Sequence, residues 1–137
     1  MTPPRPDRVR ALRGVAFGWL DARLLRDGWL RALPLESLAT YVFLCLAADR
    51  EGVSYYRRAR LGEELGLDER QVVRALDELR ALDLVAYAPF HAGAPDGFHQ
   101  VLSLPAGAAP PTQGDRLLQA LADRLGADRR SDDRRRR

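Results

Sequence analysis

Arginine is the chain's main chemical resource: all 22 basic residues are arginine and none is lysine. Six side chains suited to binding polar groups fall in one short stretch, Arg57, Arg58 and Arg60, then Arg70, Gln71 and Arg74. A guanidinium is a planar fork of donors that keeps its charge, and a carboxamide donates and accepts together. Groups of this kind hold anions and polar edges rather than break bonds. The residues that could break bonds are scattered. Ser37, Ser54 and Ser103 are isolated hydroxyls, and His91 and His99 have no cysteine or clustered carboxylate near them in sequence. A Gly-rich phosphate loop, a GxSxG run and an HExxH run are all missing from the sequence. The expectation is therefore no catalytic residue, no metal site and no cofactor, and a protein that is not an enzyme.

The elements that must position the arginines are legible from apolar spacing. A helix is predicted from about Arg57 to Leu65, with Leu61 and Leu65 inward and Arg57, Arg58 and Arg60 outward. Gly66 and Leu67 make a tight corner, and Asp68 with Gln71 three residues on forms the cap of a following helix. There Val72, Leu76 and Leu79, joined by Ala75 and Leu82, make the buried stripe. Arg70, Gln71, Val73, Arg74, Asp77, Glu78 and Arg80 are left facing out. The segments LVAYAPF and FHQVLSLP, joined by the turn-rich HAGAPDG, predict a hairpin from about Leu84 to Leu104 whose loop carries no arginine.

Upstream, Leu35, Leu38, Val42, Cys45 and Leu46 recur at helical spacing, with Tyr41, Phe43 and Leu44 widening the stripe. Pro34 is expected in the first turn of that helix and Gly52 at its C-terminal stop. Val53 to Tyr55 is β-prone and placed to pair with the hairpin. Before Pro34, one or two helical turns break at Gly28, and Trp19 and Trp29 are expected together as an apron closing the core.

Composition bounds the rest. A chain of 137 residues, 46% hydrophobic, suits one domain with tails. The expected division is a flexible basic arm over 1–13, the main domain over 14–104 and a linker over 105–114. A short amphipathic helix over 115–126, with Leu117, Leu118, Leu121 and Leu125 on one face, then leads into a disordered arginine-rich tail over 127–137. That helix is too short to stand alone and needs a surface to pack on. The lone Cys45 excludes a disulfide framework. With no apolar signal core of about 7 to 15 residues and no spanning stretch, a cytoplasmic protein without membrane contact is expected.

Charge is partitioned. Residues 1–34 carry seven arginines against three acids, 35–104 seven against eleven, and 105–137 eight against five. Basic flanks thus enclose an acidic centre with a net charge of −4.

The run GWLRALPLESLATYVFLCLAADREG followed by RLGEELGLDERQVVRALDELRALDLVAY resembles the N-terminal winged-helix domains of bacterial primosomal, phage and plasmid replication-initiator proteins. It resembles small winged-helix transcription regulators more loosely. The match lies over residues 15–104 and is densest from Leu61 to Val85. One departure is Asp83, where such domains usually carry glycine between the last helix and the wing.

The resemblance implies a mainly α winged helix-turn-helix with a small β-hairpin wing. It also implies binding of double-stranded DNA in a replication-initiation accessory or a small transcription regulator. In that mode the second helix of the motif enters the major groove. Arg70, Gln71 and Arg74 would then contact bases, and Arg57, Arg58 and Arg60 phosphates. The basic arms would add counterion release. A homodimer through the Leu117 to Leu125 helix or the Trp19 and Trp29 apron, or a replication or assembly partner, is in keeping with it. The acidic centre suits a rival, a winged helix that docks a protein in a larger assembly and reads no DNA.

Overall fold

The structure, a computed structural model, describes residues 1–105, 107, 110, 111 and 113–135. After an exposed N-terminal segment with one 3-10 turn at Pro6–Arg8, two single-turn helices follow, α1 (Arg23–Arg26) and α2 (Trp29–Ala32). Gly28, at a φ of 83°, turns the chain between them. Then come α3 (Leu35–Ala47), β1 (Val53–Ser54), α4 (Arg58–Leu65), α5 (Glu69–Ala81), β2 (Val85–Pro89) and β3 (Gly97–Val101). The last element is α6 (Gln113–Arg135). The result is a helical domain with a small antiparallel sheet in the order β1-β3-β2. The predicted hairpin is β2 and β3, with Tyr87 opposite His99. β1 pairs on its far side, placing Ser54 opposite His99.

The core forms where α3, α5 and the sheet meet, and it includes Leu44, Leu61, Val72, Leu79 and Leu84. On α5 the expected seam of Val72, Ala75, Leu76 and Leu79 is buried, at 0 to 4% exposure. At the fixed spacing of an α-helix, such a stripe leaves one face for the core and one for water.

The phase of α3 differs from the expected one. Its buried side is Ser37, Thr40, Tyr41 and Leu44, whereas Leu35 and Leu46 are exposed. A helix apolar on nearly every side has no unique phase in its hydrophobicity. Backbone approach decides it, and small Ser37 and Thr40 admit the neighbouring elements. The Thr40 hydroxyl turns back to donate to the Glu36 carbonyl at 2.8 Å, the usual outlet for a hydroxyl inside a helix. Pro34 is the N-cap rather than a first-turn residue, and the helix ends at Ala47. Gly52 does not stop it; its φ of 83° belongs to the turn into β1, where its carbonyl accepts from the Val101 N–H.

The tryptophans separate. Trp29 is 2% exposed and part of the core, while Trp19 is 74% exposed, so no paired apron forms. Trp19 lies in the irregular segment before α1, and only Trp29 belongs to a helical turn that packs inward. The C-terminal helix also departs from expectation. It runs from Gln113 to Arg135, well past the three turns predicted over 115–126 and into the tail expected to be disordered. Residues 136 and 137 of that tail lie outside the described residues. Leu117, Leu118, Leu121 and Leu125 remain 56 to 67% exposed. The Arg116 guanidinium donates to the Glu78 carboxylate and ties the start of α6 to α5.

Candidate nucleic-acid interface

The α4–α5 corner is built by two glycines and a cap. Gly62 is buried where a Cβ would come within 2.7 Å of the Leu67 carbonyl, so only glycine lets the corner fold this closely onto α4. Gly66 ends α4 in the left-handed region at a φ of 67°. Asp68 then caps α5: its carboxylate accepts from the Gln71 N–H at 2.8 Å, and the Gln71 carboxamide oxygen accepts from the Asp68 N–H at 2.9 Å. Two otherwise unpaired donors of the first turn are thereby satisfied, and the orientation of α5 is set. At its other end Asp83 holds a left-handed φ of 59°, alone among the described non-glycine residues. The chain turns there into β2, with the Leu84 N–H donating to the Leu79 carbonyl.

Each of the six singled-out residues now has a place. The side chains of Arg57 and Arg70 are exposed and make no hydrogen bond or ion pair with any described residue. Arg74 is exposed, with Nη2 3.9 Å from Glu36 Oε2, a distance at which water screens most of the attraction. These three guanidinium groups are available to a partner. The other three side chains are engaged within the chain. Gln71 is half-buried, and besides its capping role its Nε2 donates to Glu36 Oε1 at 2.8 Å. Arg60 lies along α4 against Glu64 at 2.8 Å and Glu63 at 3.5 Å.

Arg58 is clamped to the hairpin loop. Asp96 Oδ1 accepts from the Arg58 backbone N–H at 3.0 Å and from its Nε at 3.4 Å, while Nη2 donates to the Pro95 carbonyl at 2.6 Å. A residue 38 positions away thus supplies the cap that α4 lacks locally, since Arg57 makes no side-chain cap. The same clamp fixes the hairpin against the helices. His99 lies next to it, 3% exposed, with its ring 5.1 Å from that of Tyr87, over which the Arg80 guanidinium sits at 5.0 Å. Burial, and then the nearby Arg80 charge, hold the His99 pKa below the usual histidine value; Asp96 works the other way.

Four of these contacts had no signal in the sequence. Glu36 as partner of Gln71 and Arg74, Asp96 as partner of Arg58, and Arg80 over Tyr87 each join separate elements. Asp96 was visible only as one residue of a turn-rich run. Gln71 did carry a signal, because the spacing that marks a capping box also commits the carboxamide to the backbone.

The exposed face of α5 therefore presents Arg70, Val73, Arg74 and Asp77. Asp68, Glu69, Arg70, Val73 and Arg74 line a shallow concavity there. A second cleft, of about 610 Å³, opens elsewhere, among Trp19, Tyr41, Cys45, the Asp49–Gly52 turn and Leu104. Burial raises both the Tyr41 and the Cys45 pKa, which keeps them protonated and unreactive at neutral pH. Among the described residues no group of three or more histidine, cysteine and acidic side chains could hold a metal ion, and no helix is long and apolar enough to cross a membrane. Comparison with family models, with curated proteins and with solved structures finds no match to this chain.

Proposed function

We propose that this chain is a winged-helix protein that binds double-stranded DNA, with α5 in the major groove, β2 and β3 as the wing, and a role in replication initiation or transcription control. The observation that carries the reading is the free face of α5. Arg70 and Arg74 point away from the core on a helix whose phase and start are held by its seam and its capping box. Rigid placement matters because a bidentate arginine distinguishes bases only when its backbone is held still. The order of elements from α3 to β3 also suits the motif, with the helix before the corner placed to cross the backbone. Arg57 at the start of α4 is the phosphate contact of this reading; Arg58 and Arg60 act on the fold, through Asp96 and through Glu63 and Glu64.

The test is fluorescence anisotropy of the full chain with random and genomic duplexes across a salt series. Binding that weakens steeply with salt supports phosphate contacts. No binding at low salt overturns the reading. A second reading, a winged helix that docks a protein, draws on the net −4 of residues 35–104 and on the engagement of Gln71, Arg58 and Arg60. Under it, Arg70→Glu and Arg74→Glu would abolish capture of a protein partner while duplex binding was absent throughout.

A further inference from the structure

Resting on the DNA reading above, we infer that Val73 is a specificity residue that contacts a thymine methyl group beside a guanine held by Arg70. Residues 70, 73, 74 and 77 follow one another at helical spacing along one face of α5. Three of them are charged, and Val73 alone is apolar. The concavity it lines is otherwise formed by Asp68, Glu69, Arg70 and Arg74. The buried seam of α5 is complete without it, being Val72, Ala75, Leu76 and Leu79. One flank of Val73 lines a small hollow together with Leu76 and Tyr87. The other flank lines the shallow concavity that Arg70 and Arg74 also line.

The chemistry of the major groove then selects the ligand. Its edges are donors and acceptors, with one apolar feature, the thymine C5 methyl. An isopropyl group beside Arg70 on that face has that methyl as its natural partner. Gln71, the residue type that reads adenine, is turned back into the capping box and onto Glu36, so adenine is not read from this helix. Arg70 is unengaged and of the type that pairs with guanine O6 and N7. Arg70 and Val73 are three residues apart and neighbours on the surface of α5, which brings them to neighbouring base pairs.

The experiment has two steps. Duplexes are selected from a random pool with the purified full chain, and the enriched site is then resynthesised with each thymine replaced in turn by deoxyuridine, which removes only the methyl group. Enriched sites are expected to contain guanine adjacent to thymine. One deoxyuridine replacement should weaken the wild-type protein about fourfold, the worth of one buried methyl-sized group, and Val73→Ala by under about twofold. Val73→Asn, which puts a polar carboxamide in place of the isopropyl group, should lose the discrimination too, and thermal melting checks that both variants fold. If every uracil duplex binds the wild type as tightly as its parent, or if the variants lose as much as the wild type, Val73 does not read thymine although the protein still binds DNA. Enriched sites without thymine overturn the inference in the same way. If no duplex binds at low salt, the DNA reading falls and takes this inference with it.

Discussion

Helices α5 and α6 carry leucine stripes of the same kind, yet one is core and the other is surface. In α5, Val72, Leu76 and Leu79 are at most 4% exposed, packed against α3 and β2. In α6, Leu117, Leu118, Leu121 and Leu125 are more than half exposed. The ends differ as well. The start of α5 is sealed by reciprocal hydrogen bonds between Asp68 and Gln71, whereas α6 follows the proline- and glycine-rich segment that begins at Pro105. Periodicity reports that a face is apolar, and it says nothing of where the complementary face is. For α5 that face lies in the same domain, brought there by a corner whose close approach requires Gly62 and whose left-handed turn is made at Gly66. α6 is held to the domain by the bridge from Arg116 to Glu78.

The sharpest way to break this contrast is to shorten one leucine on each helix. Leu79→Ala removes a fully buried side chain and is expected to cost about 2 to 5 kcal/mol, enough to threaten a small domain. Leu121→Ala should stay within about 0.5 kcal/mol, as an exposed substitution does. Urea denaturation measures both, and an equal cost at the two sites would mean that the α6 face is covered in solution.

Next in size are the two bridges that join distant elements. Asp96→Ala strips α4 of its cap and Arg58 of its partner, an expected loss of about 1 to 2 kcal/mol, whereas Glu78→Ala should release α6 with little change in the main unfolding transition. Hydrogen exchange would place the first loss at the start of α4 and in the hairpin, and the second in α6. The α5 cap comes third. Asp68→Ala should cost about 1 kcal/mol by urea titration, leaving the helix formed but frayed at its first turn. A result near zero would mean that the seam alone decides where α5 begins.

The smallest expected effect depends on pH and separates the hairpin side of α5 from α6. His99 has a depressed pKa when folded, so the unfolded chain binds its proton more readily. Its contribution is fully present above the ordinary histidine pKa of about 6.5 and is lost as pH falls below that value toward the folded one. Comparing urea midpoints at about pH 7.5 and pH 5.5 should show a drop that His99→Gln reduces. The α6 amides should exchange alike in both proteins. A midpoint that rose on acidification, and lost that rise in His99→Gln, would reverse the sign and point to pairing of the imidazolium with Asp96.

Much of α5 was legible because its determinants are local. A capping box spans four residues, and the seam repeats within three turns, so Asp68, Gln71, Val72, Leu76 and Leu79 could be assigned from spacing. The hairpin was legible for the same reason, as a turn-rich run between two β-prone segments. The phase of α3 was not, since nearly all its faces are apolar. Among the candidate site residues the arginines were found as a group, but their division into free and engaged was hidden. Arg58 and Arg70 look alike in sequence, and only the return of Asp96 to the start of α4 takes one of them out of play.

By itself, then, the chain's order of residues determined where α4, α5 and the hairpin form, where α5 begins and which of its faces is buried. These properties follow from backbone hydrogen bonding and side-chain period within a few residues. Tertiary structure alone decided that Gln71 closes on Glu36, that Arg58 clamps the hairpin, that Trp29 enters the core without Trp19, and that Arg57, Arg70 and Arg74 remain open. The physical reason is distance along the chain. Pairings across 35 or 38 residues depend on the packing of α3 with α5 and of the hairpin with α4, and no local pattern encodes the partner.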